Sequence, residues 1–409
     1  MNDDDKAGEA PPNGRRKRLL WLLVGLFLAV GIGYGIYWAL VGRYVESTDD
    51  AYVGGNLVQI TPQVSGTVLA IDTDNTDYVT AGQTLVSLDP ADARIALEQA
   101  EAALAHSVRE VRNLMATTAQ IEATVALRQT ELARAREDLA RRAPLAGSGA
   151  LPAEELQHAR DAVASSEAAL EVAKQQLAAQ KTLTDHTTVE THPDVQSAAA
   201  RVREAYLAYA RTVLPAPVSG IVDKRSVQVG QRVSPGMPLM AVIPLDQVWV
   251  DANFKEEQLL DLRVGQPAQL TADVYGSSVT FHGRVAGFGA GTGSAFALLP
   301  PQNATGNWIK VVQRVPVRIA LDPAEVARHP LKLGLSMQVD VNTHQRSGGL
   351  QSGSAGTGPI YQTKVFTSLS KRADQRVAAI IAANGGNARA ALRAEKAAAE
   401  AVRPEPAAH

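Results

Sequence analysis

The chain has 409 residues, of which 40 are lysine or arginine and 42 are aspartate or glutamate, so its formal net charge at pH 7 is −2. This length accommodates two or three domains, and the near-neutral charge provides no basic surface for nucleic acid, which is therefore not an expected partner. The chain contains no cysteine, which excludes thiol catalysis, disulfide bonds and thiolate metal sites and fits an oxidising compartment.

An apolar segment near the N-terminus predicts a single transmembrane helix. Residues 19–42 contain no charged side chain, and about 20 apolar residues suffice to cross the core of a bilayer. A basic cluster at 15–18 precedes the segment and only Arg43 directly follows it, so the positive-inside rule assigns residues 1–18 to the cytoplasm. A cleaved signal peptide is the less favoured alternative, because no small-residue cleavage site is evident. Residues 43–60 are then predicted to form a first strand close to the outer side of the membrane.

A repeated segment predicts a split β-rich domain. Residues 62–90 and 216–244 align without a gap at an offset of 154 residues. The copies are identical at eight paired positions, which are Val64/Val218, Ser65/Ser219, Gly66/Gly220, Val68/Val222, Val79/Val233, Gly82/Gly236, Leu85/Leu239 and Pro90/Pro244. Short apolar alternations punctuated by glycine predict hairpins that turn at Gly66/Gly220 and at Gly82/Gly236. Because neither copy can bury a core alone, residues 61–90 and 214–245 are predicted to pair into one small lipoyl-like sandwich.

The insert between the copies, residues 91–213, predicts an antiparallel coiled-coil hairpin. Asp89 and Pro90 provide an N-cap and a first helical position. An apolar ladder then repeats every seven residues, with Thr118 as its one break, at Leu97, Leu104, Val111, Val125, Leu132 and Leu139. The first helix is predicted to end at Pro144, and residues 143–152 to form the hairpin tip. Threonines and a proline in Thr182–Pro193 predict a returning helix in two pieces. The same ladder is also compatible with a plain spacer or a dimerising coiled coil.

The remaining chain predicts a β-barrel followed by a tail. Residues 246–345 show the two-residue alternation of half-buried antiparallel strands, which favours a small barrel. A short helix is predicted around Lys255–Leu262, and Asp50–Gln59 is a candidate for an additional strand. Residues 346–409 predict a flexible linker and an alanine-rich tail with a helix near Ala373–Ala383. The whole chain is therefore expected to be a multidomain α+β protein.

No pattern in the sequence indicates catalysis. The segment GFGAGTGS at 287–294 lacks the Lys-Ser/Thr pair of a phosphate-binding loop, and the eight histidines show no metal-ligand spacing. A swinging-cofactor carrier would need a lysine at an exposed hairpin, yet no lysine occurs between Lys17 and Lys174, and Lys224 lies beside a different turn. We therefore expect no enzyme activity, no cofactor and no metal.

Four motifs carry a resemblance to a known family. They are TDDAYVGGN at 48–56, EELQHARDAV at 154–163, WVDANFKEEQ at 249–258 and GTGSAFALLPPQNATGNWIKVVQRVPVRI at 291–319. Together with the order of anchor, split sandwich, hairpin and barrel, they resemble the membrane fusion proteins, or periplasmic adaptors, of the HlyD family. The resemblance is closest to the EmrA branch and covers residues 43–345.

The resemblance implies a function in export. Such adaptors are parts of tripartite multidrug efflux pumps, which join a major-facilitator drug/proton antiporter (EmrB-type) in the bacterial inner membrane to a TolC-type outer-membrane channel. A single-pass anchor with most of the chain in the periplasm is implied. One hairpin cannot enclose a path, so a homo-oligomer of three or six copies is expected.

The resemblance also implies a partner-binding site at the hairpin tip. Related adaptors carry an Arg, a Leu and a Ser there, separated by three and then six intervening residues. Arg141 and Leu145 fit this spacing, but Pro152 occupies the serine position. Arg142 and Ser148 are further candidates for the channel contact. The alternative is that all of these residues are solvated turn residues.

Two rival functions share this architecture. A type I protein-secretion adaptor would pair with an ABC transporter instead of an antiporter. A non-transport envelope scaffold would have no transporter partner, and its deletion would leave drug susceptibility unchanged.

Overall fold

The computed structural model describes residues 14–40, 42–146, 152–296, 312–350 and 358–386. The helices are α1 (Gly14–Leu40), α2 (Ala91–Ala146), α3 (Ala153–Thr184), α4 (Pro193–Ala210), α5 (Pro323–Arg328) and α6 (Thr367–Asn384). The first nine strands are β1 (Val45–Gly55), β2 (Val58–Ile60), β3 (Gly66–Ile71), β4 (Tyr78–Val79), β5 (Thr84–Leu88), β6 (Val213–Pro215), β7 (Gly220–Asp223), β8 (Arg232–Val233) and β9 (Met240–Ile243). The last five are β10 (Val248–Lys255), β11 (Pro267–Ala272), β12 (Thr280–Phe288), β13 (Arg314–Leu321) and β14 (Ser336–Asn342).

These elements form two compact units. One unit contains the chain up to Val58, the short stretch Ser219–Ile221, and Val242–Gln362. The other contains Gln59–Val218, Val222–Ala241 and the chain from Thr363 onward.

The first unit is built around a closed six-stranded barrel in the order β1-β10-β13-β12-β11-β14. Alternate side chains of each strand face the interior, as the strict alternation of buried and less buried positions along β10 shows. The large fully buried side chains include Phe254, Phe281 and Ile319. The predicted barrel strands are therefore confirmed, and β1 supplies the additional strand that was expected from Asp50–Gln59.

Several short helices connect the barrel strands, among them a 3-10 helix at Glu256–Leu260 and α5. The helix expected around Lys255–Leu262 is a 3-10 helix at Glu256–Leu260. The sequence analysis missed α5, although Asp322 caps it by accepting a hydrogen bond from the Ala324 N–H and Pro323 occupies its first turn.

The repeat forms two four-stranded sheets together with β2 and β6, which directly precede its two copies. The strand orders are β2-β9-β7-β4 and β6-β5-β3-β8. Each sheet takes strands from both copies, which is the pairing that the repeat predicts. Gly82 and Gly236 have φ angles of +89° and +83°, so they occupy the expected turn positions.

Gly66 and Gly220 do not lie in turns, and this prediction was wrong. Each begins a strand, β3 and β7 respectively. A Cβ on Gly66 would lie 3.2 Å from the Cβ of Leu88, and a Cβ on Gly220 would lie 2.6 Å from the carbonyl carbon of Ile243. Close packing, and not a turn, therefore requires glycine at Gly220 and favours it at Gly66.

The insert folds into the predicted helical hairpin with α2 outgoing and α3 and α4 returning. Asp89 Oδ1 accepts a hydrogen bond of 3.0 Å from the Ala91 N–H at the start of α2. At its other end, α2 continues through Pro144 to Ala146 and does not end at Pro144 as expected. A proline in the last turn removes only one hydrogen bond, so the helix tolerates it there. The returning helix is interrupted between Thr184 and Pro193, which confirms its two pieces.

The predicted tail helix is α6, which begins six residues earlier than expected, at Thr367. It packs against α2 and α4. At the other terminus, α1 includes many exposed apolar side chains. Within the ranges that the structure describes, we find no helix that combines the length and the apolar character needed to cross a membrane.

Candidate functional site

The outer part of the hairpin is a two-helix seam between α2 and α3. Its buried side chains are Val125 and Leu132 from α2 and Leu170 and Ala173 from α3. These α2 residues belong to the seven-residue ladder, which keeps one face of the helix turned toward its partner. The 56 residues of α2 correspond to a length of about 84 Å at 1.5 Å per residue. The seam therefore carries the tip far from the residues where the hairpin starts.

Ion pairs between the helices flank this seam. Arg136 Nη2 lies 2.6 Å from Glu167 Oε1, and Lys181 Nζ lies 2.9 Å from Glu122 Oε1. The hydrogen bond to Glu122 raises the pKa of Lys181. Because all four side chains are largely exposed, these pairs contribute little to stability. Their effect is to favour one register of α2 against α3.

The joint between α3 and α4 is fixed by His192, which is buried at the N-cap of α4. Its Nδ1 accepts from the Asp194 N–H at 3.3 Å, and its Nε2 lies 3.1 Å from the carbonyl oxygen of Leu183. A neutral ring protonated at Nε2 satisfies both contacts. The end of α3 and the start of α4 are thereby connected through one side chain.

Three of the four predicted contact residues lie among the described residues at the end of α2. Arg141 Nη2 lies 3.2 Å from Asp138 Oδ1, and Arg142 Nε lies 2.9 Å from Asp138 Oδ2. Leu145 is 49% exposed in the last turn of α2. Ser148 lies outside the described residues. The arginines therefore share one carboxylate, while Leu145 offers an apolar side chain beside them.

Pro152 occupies the N-cap position of α3, with φ −57° and ψ 140°. Its side chain provides neither a donor nor an acceptor, so the hydroxyl that the resemblance implies at this position is absent. Glu154 and Glu155 follow in the first turn of α3. The charged part of the tip thus combines two arginines on α2 with two glutamates on α3.

A second surface, which sequence analysis missed, is an open groove of about 780 Å³ on the barrel, lined in part by Gln269, His282, Arg284 and Asp340. Beside it, Glu325 accepts a hydrogen bond of 2.6 Å from the His282 N–H and lies 2.8 Å from its Nδ1. The backbone bond is the main reason why the pKa of Glu325 is lowered. No cluster of metal-binding side chains occurs among the described residues.

Comparison with known proteins decides the family. The model of the EmrA alpha-helical hairpin domain matches residues 91–212. The multidrug export protein EmrA of Escherichia coli (strain K12) is 49% identical over 348 residues, which cover 85% of this chain and 89% of that protein. The chain belongs to the EmrA family of HlyD-type adaptors.

A further relative and a solved structure are also similar to this EmrA-family adaptor. The fatty acid resistance protein FarA of Neisseria gonorrhoeae is 50% identical over 80% of this chain and 84% of that protein. A solved structure of the periplasmic adaptor protein EmrA is 20% identical, covers 73% of this chain and 98% of that chain, and has a TM-score of 0.36.

Sequence analysis of this EmrA-family adaptor predicted the hairpin but missed two of its features. Asp138 lies three and four residues before the two arginines, a helical spacing at which an ion pair is expected. The docking of α6 leaves no local pattern in the sequence. Its partners Arg203 and Glu101 lie 171 and 275 positions from the α6 residues that they contact.

Proposed function

We propose that this chain is the periplasmic adaptor of a tripartite multidrug efflux pump. It links a major-facilitator drug/proton antiporter of the EmrB type in the inner membrane to a TolC-type channel in the outer membrane. The antiporter supplies the energy, and the adaptor supplies the mechanical connection.

The observation that carries the proposal is the insertion of a long helical hairpin into a split β domain. The hairpin leaves the sheets at Leu88 and returns to them at Val213, so its tip projects about 80 Å from that domain. A protein that must reach across a compartment needs such a rigid projection. The names of this chain's relatives include multidrug export, fatty acid resistance and colistin resistance, so a resistance assay should cover these compound classes.

The N-terminal segment supports an anchor in the inner membrane. Residues 19–42 carry no charge, and the basic cluster lies at 15–18. The apolar side chains of Trp21, Phe27 and Ile32 on α1 are exposed, as is expected of a surface that contacts lipid. The proposed topology has a cytoplasmic N-terminus and a periplasmic remainder. A protease added to spheroplasts should digest the barrel, and one added to inside-out vesicles should not.

Several copies are needed to enclose a conduit, so we propose a ring of three or six. A single hairpin offers one wall of a path, and closed rings are the usual arrangement of homo-oligomers. Native mass spectrometry of the full-length protein in detergent and in the reconstituted complex tests this. A protein that stays monomeric in both preparations contradicts the ring.

We further propose that Leu145 contacts the outer-membrane channel, with Arg141 and Arg142 beside it and Ser148 as a further candidate. A photo-crosslinking amino acid at Leu145 in intact cells should capture the channel. The matched control is Leu127, an exposed leucine on the shaft of the same helix, which should not. Capture of only a second copy or of nothing, by a folded and abundant protein, contradicts the tip contact.

The rival secretion function is tested separately. Affinity purification after mild cross-linking identifies the inner-membrane partner as an antiporter or an ABC ATPase. Deletion should increase drug susceptibility, and expression of the full-length chain should restore resistance. An ABC partner, or unchanged susceptibility to every compound in a panel that includes fatty acids, overturns the proposed function.

A further inference from the structure

The groove between α2 and α4 receives a third helix, α6. The groove is lined by Leu104, Val108 and Val111 from α2 and by Val195, Ala199 and Val202 from α4. Each of these six side chains is at most 1% exposed. The α6 helix covers the groove with Val377, Ile380 and Ile381. We call the part of α2 and α4 that lines this groove, residues 104–111 and 195–202, the root.

The root differs physically from the outer seam. Val125 and Leu132, in the two-helix part, retain 8% and 6% exposure. Two helices alone leave the sides of their seam open to water, whereas a third helix closes one side. The root is therefore a groove whose apolar side chains lose water contact through α6, in the manner of an amphipathic helix bound in a groove.

Polar contacts on both flanks fix the position of α6. Arg376 Nε and Nη2 lie 2.7 and 3.0 Å from the two carboxylate oxygens of Glu101 on α2. This bidentate bond raises the pKa of Arg376. On the other flank, Arg203 Nε of α4 lies 2.6 Å from Asp374 Oδ1. The helix is thus held by one charge-assisted contact to each wall.

The C-terminal end of α6 is held as well. Arg109 Nη1 donates to Asn384 Oδ1, and Arg112 Nη1 donates to the Asn384 carbonyl oxygen, each at 2.8 Å. Cationic side chains at this end oppose the partial negative charge of the helix dipole. The two arginines therefore prevent α6 from sliding along the groove.

The docking of α6 is expected to be reversible. Residues 343–366 join β14 to α6, and such a tether keeps the helix at a high effective concentration near the groove. An isolated helix of this length is only marginally stable in water, so α6 is expected to fold when it docks and unfold when it leaves. Such coupled segments open with a smaller free energy than the domain core.

We propose that α6 is a reversible clasp that docks on the root of its own chain and holds that part of the hairpin rigid. Docked, it closes the apolar groove between α2 and α4. Released, it frees the root to move and exposes the groove. This inference goes beyond the export function and does not depend on it.

Cysteine cross-linking tests the docking, because the chain has no native cysteine. In the full-length R203C/D374C variant, a short bismaleimide should join α4 to α6 within one chain. The matched control is R203C/Q375C, since Gln375 lies on the exposed face of α6. Co-expressed copies with one cysteine each should give no covalent dimer. A covalent dimer from the mixed copies, or equal yield in the control, overturns docking on the same chain.

Hydrogen exchange tests whether α6 holds the root rigid. In V377D, exchange of amides in 104–111 and 195–202 should accelerate by at least about tenfold, with no change in β3 and β5 or at 125–132. Q375D, with the same charge on the outer face, should exchange like the wild type. Unchanged exchange in V377D overturns the clasp, and faster exchange throughout the sheets shows that α6 is not a separate unit. Both readouts use purified protein, so their failure leaves the export function standing.

Discussion

The hydroxyl of Thr118 on α2 lies 3.3 Å from the hydroxyl of Thr184 at the end of α3. Thr118 also donates to the carbonyl oxygen of Leu114, so Thr184 is the donor between the two hydroxyls. Thr118 is the one polar position in the apolar ladder, and it lies where the returning helix breaks. A polar residue in a coiled-coil seam specifies the register at some loss of stability. The polar break in the apolar ladder of α2 therefore lies beside the point where α3 ends.

Replacing Thr118 by valine should test this register contact. The variant T118V leaves the hydroxyl of Thr184 without its partner, which we expect to cost about 0.5–1.5 kcal/mol of hairpin stability. The double variant T118V/T184V should recover most of this loss, because both polar groups are then absent. Hydrogen exchange of the α3 amides in the full-length protein measures the change in hairpin stability in both variants. The control T124V removes an exposed hydroxyl that donates to its own helix, and additive losses in the double variant would show that the threonines do not interact.

Leu145 should matter for export and not for folding. Because its side chain is half exposed, L145D should change the free energy of unfolding by no more than about 0.5 kcal/mol. A charge at an apolar contact should nevertheless abolish drug resistance in cells that lack the native copy. Growth on drug gradients, with protein abundance measured by immunoblot, gives the result. L127D on the shaft should keep resistance, and equal resistance of both variants would remove Leu145 from the channel contact.

The parts of this fold that follow from local periodicity were predictable, and those that depend on distant contacts were not. The ladder from Leu104 to Leu132 predicted long coiled-coil helices, and their position between the two copies of the repeat favoured a hairpin. The repeat predicted sheets assembled from both copies. In contrast, the contact between Arg376 and Glu101 joins residues 275 positions apart, and no local pattern in either segment indicates the other.

The sequence analysis proposed contact residues near the tip but overlooked their neighbour Asp138. The family spacing led to Arg141 and Leu145, whereas the shared carboxylate of Asp138 appears in the helical i+3 and i+4 spacing and was overlooked. At Gly66 and Gly220, the sequence analysis predicted a turn where the structure has the start of a strand. Gly66 was assigned to a turn because turns are the commonest use of glycine, although here it begins a strand that packs closely on Leu88.

Acid should weaken the barrel through Glu325. Its pKa in the folded protein is lowered from 4.5, chiefly by the His282 N–H, so the folded state binds the proton less readily than the unfolded chain. The stabilisation is complete above the unfolded pKa and disappears as the pH falls through the folded pKa. At pH 7, E325Q should be less stable than the wild type by about 1–2 kcal/mol.

The difference between E325Q and the wild type should shrink as the pH falls below the unfolded pKa of Glu325. Urea unfolding of the full-length protein, repeated from neutral to acidic pH, measures this convergence. E257Q is the matched control, since Glu257 is an exposed glutamate of the same unit, and its stability should follow the wild type throughout. A difference between E325Q and the wild type that stays constant with pH would show that the charge of Glu325 is not involved.

The paired glycines of the repeat should respond unequally to alanine. A Cβ on Gly220 would lie 2.6 Å from the carbonyl carbon of Ile243, so backbone must move, whereas a Cβ on Gly66 would lie 3.2 Å from the side chain of Leu88. Overpacking of this kind costs about 1–3 kcal/mol and more where backbone must shift. We expect G220A to lose at least about 3 kcal/mol and G66A about 1 kcal/mol. Thermal unfolding of the two full-length variants ranks them, and a G66A variant that is as unstable as G220A would show that the two copies are equally crowded.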